Sequence, residues 1–327
     1  MMTEIDSTFE TPACASCGSE ERKIVYSHLR DILYNTPGRF TLVRCINCGL
    51  VYLCPRPDEA HISDYYPKEY APFAIAEPNE PVKRVKQRAK LYWIVRKLAR
   101  LLYRRRYGHE TTTVRPFGHR RVLDVGCGAG EYLLELQRLG WDVYGVDVSG
   151  LAVGVANAQL GTISPPRVSV GTLETLDSTA QDFDLITMNH CLEHVDNPKA
   201  TLIEAHRRLS RNGSIKIIVP DISSIESKLF GRYWVGLDVP RHLYDFSKHN
   251  LTVLLQQCGF TVEAWRPQVW PFSFCASFDI ALKSRLASRL GRTERWLDAL
   301  VYLVAVFSYP LGNRGAIEVT ARKETGT

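Results

Sequence analysis

Residues 121–147 constrain this chain more than any other stretch. Arg121–Val125 (RVLDV) is a short apolar run that leads straight into Gly126-Cys127-Gly128-Ala129-Gly130. A helical segment, Glu131–Leu139, follows and ends at Gly140. Trp141–Val146 is then a second apolar run, closed by Asp147. Strand, glycine turn, helix, strand and acid, in that order, are the start of an open α/β sheet that holds a ligand at the carboxyl edge of its strands. The glycines let backbone approach the ligand and expose amide donors. An acid ending the second strand can accept two hydroxyl hydrogens from a ribose.

The spacing separates the candidate ligands. A dinucleotide fingerprint is G-x-G-x-x-G, whereas this turn is G-x-G-x-G, and no G-K-[ST] follows to cradle phosphates. Asp124 lies inside the strand just before the glycines. A carboxylate there repels a pyrophosphate but suits a cationic amino-acid group. The run VLDVGCGAG resembles motif I of class I S-adenosylmethionine-dependent methyltransferases, and Asp147 matches their ribose-binding acid.

The resemblance extends over roughly residues 120–265. Val168–Leu173 (VSVGTL) resembles the third strand and its turn, where family members contact the adenine. Phe183–Met188 is the fourth strand, and Asn189-His190-Cys191-Leu192-Glu193-His194-Val195 contains the LEHV run that family members often carry beside the methionine part of the cofactor. Leu209–Ser214 resembles the turn before strand five, Ile215–Pro220. The resemblance implies a Rossmann-like seven-stranded mixed sheet with helices on both faces and an antiparallel last strand. It implies S-adenosylmethionine as cofactor, held by Asp124, Gly126, Gly128, Gly130, Asp147, Val148, Leu173, Asn189, Glu193 and His194. A structural role for His194 stands beside the binding one. His190-x-x-Glu193-His194 also spells H-x-x-E-H, an inverted zinc-protease signature. Its position directly after an apolar strand reads instead as a cofactor loop, so no catalytic metal is expected.

Two C-x-x-C-G knuckles precede this unit: Cys14-Ala-Ser-Cys17-Gly18 and Cys45-Ile-Asn-Cys48-Gly49. Each is a tight turn that aims two thiolates at one point, and four sulfur ligands suit tetrahedral zinc. The 27 intervening residues hold strand-like runs at Lys23–Tyr26 and Phe40–Arg44. Such a site is a zinc ribbon with an enlarged loop, closed and therefore structural, offsetting the small core of a short domain. Cys54, Cys127, Cys191, Cys258 and Cys275 are scattered mostly among apolar residues and read as small core side chains. The paired knuckles resemble those of zinc-ribbon methyltransferases of sugar and polysaccharide biosynthesis.

Between the two units the charge is uneven. Residues 82–106 carry 11 Lys/Arg and no acid, so a net charge of +6 hides a body at −5. Leu91, Ile94, Val95, Leu98, Leu101 and Leu102 form one helical stripe within this arm. Three docks suit a basic amphipathic helix: the protein's own body, an anionic membrane surface, or nucleic acid. The expected domains are a zinc ribbon (1–57), a linker with the basic helix (58–118), and a cofactor-binding domain (119–327) with an apolar insertion at about 270–312. Trp296–Leu311 is apolar but too short, and too interrupted by Asp298, to span a bilayer. The start, MMTEIDSTFETPACASCG, has acids and no apolar stretch, unlike a secretory leader. Localisation is expected to be cytoplasmic, with the inner membrane face as a peripheral site.

After strand five comes Tyr233–Ser247 (YWVGLDVPRHLYDFS), placed where an acceptor would bind. His242 is the candidate base, and pinning the loop is its alternative role. Asp238, Arg241 and Tyr244 are further candidate binders, and Tyr233 and Trp234 either stack on a sugar or join the core. The expected reaction is methyl transfer from S-adenosylmethionine to a small-molecule or lipid-linked glycan acceptor, on a sugar oxygen or carbon. The alternatives are an RNA methyltransferase, a non-catalytic scaffold, and a nicotinamide dehydrogenase.

Overall fold

The computed structural model describes residues 8–67, 120–161, 167–268, 271–286 and 315–324. The basic arm at 82–106 and the apolar run at 296–311 lie outside the described residues. Among the described residues, no helix is long and apolar enough to cross a membrane.

The N-terminal part holds β1 (Phe9–Glu10), β2 (Arg22–Leu29), β3 (Phe40–Cys45), β4 (Val51–Leu53) and β5 (Arg56–Pro57), then a 3-10 turn at Ile62–Tyr65. β2 and β3 pair antiparallel, as do β3 and β4. The two knuckles are the same turn built twice. Gly18 N donates to Cys14 O at 2.8 Å and Gly49 N to Cys45 O at 3.0 Å. Both glycines take positive φ, 73° and 77°, a conformation costly for other residues.

The larger part alternates strands and helices: β6 (Arg121–Val125), α1 (Glu131–Arg138), β7 (Asp142–Asp147), α2 (Gly150–Leu160), β8 (Val168–Val170), β9 (Phe183–Asn189), α3 (Pro198–Arg208) and β10 (Leu209–Pro220). β10 absorbs the turn expected at Leu209–Ser214: the chain stays extended there, with a bulge between Leu209 and Ser214 against β9. α4 (Ile225–Phe230), β11 (Tyr244–Asp245), α5 (Lys248–Gln257), β12 (Phe260–Gln268), α6 (Pro271–Leu286) and β13 (Ala316–Lys323) complete the described elements. Caps set the helix starts. Ser149 accepts from Ala152 N, Asn197 from Ala200 N, and Ser247 from Asn250 N, each through its side chain.

Seven strands form one sheet in the order β12-β13-β10-β9-β6-β7-β8. Neighbours from β10 to β8 run parallel, and β13 inserts antiparallel to both β10 and β12. The parallel strands are buried on both sides, so they read as near-continuous apolar runs. β9 carries Phe183, Leu185, Ile186 and Met188, all at 3% exposure or less.

The ribbon sheet takes its fourth strand from the far side of the chain. β11 pairs antiparallel with β4, Tyr244 opposite Tyr52 and Asp245 opposite Val51, giving the order β11-β4-β3-β2. Side chains reinforce the join. Arg241 is fully buried and reaches Asp31 with two bonds, Nη1–Oδ2 2.8 Å and Nη2–Oδ1 2.9 Å, while binding Asp238 Oδ1 at 2.6 Å. Arg56 binds Glu10, Asp196 and the Tyr244 hydroxyl. Asn250 donates to Cys48 O at 2.7 Å.

These contacts correct two sequence readings and decide a third between its alternatives. Arg241 is a strut between ribbon and acceptor loop, not a free binder. Tyr244 has its hydroxyl engaged by Arg56 and by Asp196 O. Trp234 is fully buried and donates to Glu226, so it is core. Removing Arg241 strands two buried carboxylates. We expect Arg241→Ala to cost about 3–5 kcal/mol, as breaking a buried ion pair does, read as a lowered urea midpoint.

Candidate functional site

The carboxyl ends of β6, β7 and β9 meet at the glycine turn. Gly126 (φ 72°), Gly128 (φ 53°) and Gly130 (φ 82°) all take left-handed backbone. A Cβ on Gly126 would lie 2.8 Å from Cys191 Sγ, so this glycine lets the 190–194 loop close onto the turn. The amides are less available than the sequence suggests. Gly126 and Cys127 donate to Val146 O, Gly130 to Cys127 O, and Gly128 to Asp147 Oδ2 at 2.8 Å. The turn therefore offers close approach, not those four donors.

Asp147 ends β7 and is 6% exposed. Oδ2 takes the Gly128 amide and Oδ1 the Ser149 amide, at 2.8 and 2.9 Å. Each oxygen keeps a lone pair, enough for one hydroxyl apiece. Beside it Val148 is 66% and Val170 61% exposed, an apolar pair suited to the face of a flat ring. Leu173, by contrast, is buried in the core.

Asp124 sits beneath the turn at 2% exposure and accepts from Thr187 Oγ1 at 2.5 Å. Burial raises it to about 7, against the lowering pull of the Thr187 bond and the Lys216 charge. Asn189 ends β9 with a buried Oδ1 that no described group meets.

On the facing wall, the 190–194 loop meets the acceptor insertion. Leu243 N donates to Glu193 O at 2.8 Å, bringing His242 over Glu193. Glu193 is fully buried; His190 Nδ1 lies 3.3 Å from its Oε1, and its Oε2 has no partner among the described residues. Burial would raise this carboxyl, yet the His190 bond and the nearby imidazoles hold it below its ordinary value. His242 Nδ1 lies 2.8 Å from Gly236 O, and His194 Nδ1 lies 2.9 Å from Arg241 O. A carbonyl only accepts, so each imidazole carries its proton on Nδ1 and presents a bare Nε2. Burial lowers both rings to about 4, so both are neutral at pH 7.

At the ribbon, Cys14 Sγ lies 3.4 Å from Cys48 Sγ and Cys17 Sγ 3.5 Å from Cys45 Sγ. All four sulfurs lie within 4.8 Å of one another. A tetrahedron of Zn–S bonds near 2.3 Å places sulfurs about 3.8 Å apart, so the set fits zinc. Cys54 is buried outside this cluster.

A methyltransferase-domain family model matches residues 87–264, more than half the chain. The chain belongs to the methyltransferase-domain family. Its fold and glycine turn are those of the class I S-adenosylmethionine-dependent type. Among curated relatives, a ubiquinone biosynthesis O-methyltransferase of Paraburkholderia phymatum is 31% identical over 136 residues, covering 39% of this chain and 57% of that protein. One from Ruegeria sp. is 27% identical over 181 residues, covering 51% and 72%. The chain thus spans little more than half the length of the first of these relatives. Among solved structures, an S-adenosylmethionine-dependent methyltransferase of Thermotoga maritima, described as a possible histamine N-methyltransferase, shares 18% identity. The match covers 74% of this chain and 97% of that one, with a TM-score of 0.45.

Of the residues expected to hold the cofactor, Asp124, Gly126, Gly128, Asp147 and the 189–194 loop come together at the carboxyl ends of β6, β7 and β9, whereas the roles of Asp31, Arg56 and Asn250 were not anticipated. Gly126→Ala forces a side chain into left-handed backbone against Cys191. We expect a loss of about 1–3 kcal/mol, measured as a lower melting temperature.

Proposed function

We infer that this chain transfers the methyl group of S-adenosylmethionine to a hydroxyl oxygen of a small-molecule acceptor. The carrying observation is the pairing of Asp147 with the glycine turn on one wall and the bare His242 Nε2 on the other. Asp147 would take the ribose hydroxyls, Val148 and Val170 the adenine, and Leu173 contributes through backbone. Asp124, Asn189, Glu193 and His194 line the methionine end. The cofactor supplies an electrophilic sulfonium methyl. The protein's part is alignment of the acceptor oxygen behind that methyl, which supplies much of the rate, with His242 receiving the hydroxyl's hydrogen bond. Relatives named as ubiquinone biosynthesis O-methyltransferases favour oxygen over carbon.

Cys14, Cys17, Cys45 and Cys48 would hold a structural zinc that stiffens the sheet shared with β11. The ribbon then serves as a platform for the acceptor loop, and the domain from 119 onward as the cofactor binder.

Cell extract incubated with the protein and isotopically labelled methyl donor tests the reading by mass spectrometry. We expect a small molecule that gains one labelled methyl group and gains much less with His242→Ala. No labelled product, together with no cofactor binding by calorimetry, overturns it.

Asp124 adds a pH signature. Its folded value, about 7, lies above its ordinary one, so it is protonated below pH 7 and cannot pair with an ammonium. Cofactor affinity should fall as pH drops through about 7, and binding below that point should release a proton. Asp124→Asn should flatten this profile and weaken binding about tenfold or more at pH 8; calorimetry in buffers of different ionisation enthalpy reads both.

A further inference from the structure

Glu193, His194 and His242 converge from two loops, with one ligand atom of each within 4.8 Å of the others. What converges is electron pairs. Both imidazoles have their Nδ1 protons turned to carbonyls, as ligating histidines do. The rings are edge to face at 4.6 Å. His242 Nε2 stands 4.0 Å from Glu193 Oε1 and 3.9 Å from Asp238 Oδ2, beyond hydrogen-bond reach of both. Glu193 is 1% exposed at its side chain, and its Oε2 has no partner among the described residues. Asp245, on β11, is also buried with both carboxyl oxygens unpartnered among the described residues, and burial together with the Glu193 charge pushes it well above its ordinary value.

Lone pairs gathered in a buried space repel unless a positive group lies among them, and an orphaned buried carboxylate oxygen is costly. Among the described residues, His190 Nδ1 meets Glu193 Oε1, not Oε2. Two imidazole nitrogens and one carboxylate oxygen form a donor set for a first-row divalent cation, leaving positions open for oxygen ligands.

We propose that Glu193, His194 and His242 form a second metal site, distinct from the cysteine knuckles, that binds a first-row divalent cation in the acceptor crevice. The site refines the role assigned to His242. With a cation bound, its Nε2 would be one of the ligands, and the cation would supply Lewis-acid polarisation of the acceptor oxygen. The set differs from the H-x-x-E-H reading, because the second histidine comes from the acceptor insertion and His190 only supports Glu193. Cys191, between them, packs on Gly126, so the site adjoins the cofactor turn.

The test uses the full-length protein, loaded first with zinc at the cysteines and then titrated with Mn²⁺, following free Mn²⁺ by electron paramagnetic resonance. One Mn²⁺ per chain is expected, bound about tenfold or more weakly in Glu193→Gln, His194→Gln and His242→Gln. Zinc content and melting temperature report that each variant is folded. Co²⁺ added in place of Mn²⁺ should give d–d bands without thiolate charge transfer. Three results overturn the proposal: no Mn²⁺ bound by the wild-type protein, equal binding by wild type and all folded variants, or a Co²⁺ spectrum dominated by thiolate. Methyl transfer is not read here, so a protein that binds no Mn²⁺ leaves the labelled-methyl result standing, and the reverse also holds.

Discussion

The guanidinium of Arg241 joins Asp31 of the ribbon to Asp238 of the acceptor loop with no exposure to water. A buried ion triad is costly to desolvate and tolerable only when every donor has its acceptor. Here the planar fork meets Asp31 through two parallel bonds, the geometry that arginine and carboxylate share. The triad therefore defines one relative placement of the two segments. β11, the loop that follows it and His242 inherit that placement.

The N-terminal sheet thus packs directly on the segment that carries His242. That sheet is finished by Tyr244–Asp245, the second knuckle is held by Asn250 at the start of α5, and Arg56 closes the seam below. A metal in the four cysteines would stiffen the same sheet whose last strand follows His242. The position of His242 then depends on residues some two hundred positions earlier in the chain.

The crevice concentrates groups that a stable core would avoid. Asp124, Glu193, Asp245 and two histidines are buried or nearly so, and several polar atoms lack partners among the described residues. Such frustration marks places where a ligand completes the polar network. The cofactor side and the acceptor side differ in kind. Asp147 is satisfied by backbone and keeps lone pairs to offer, whereas Glu193 keeps a buried Oε2 with no partner among the described residues.

Much of this was legible in the residues themselves. RVLDV-GCGAG, the closing Asp147, the capping Ser247 and the two C-x-x-C-G turns each carry their structure in local chemistry: strand propensity, positive φ, a side-chain oxygen ahead of a helix. Most strand boundaries moved by one or two residues, β2 ran on from the expected Tyr26 to Leu29, and the turn expected at Leu209–Ser214 proved to be strand, because pairing with β9 overrode its polar composition. The long-range decisions were not legible. Arg241 and Tyr244 look like binders in a polar loop, and only the folded chain shows their donors engaged by Asp31 and Asp196. Glu193 and His194 are neighbours in sequence, but His242 joins them only through the backbone bonds from 243 and 244 to Glu193 O. Local sequence determined the turns, caps and strands, because those depend on each residue's own conformational preferences. Which buried charges pair, and which lone pairs meet, was decided by tertiary structure, because that depends on which distant segments the sheets bring side by side.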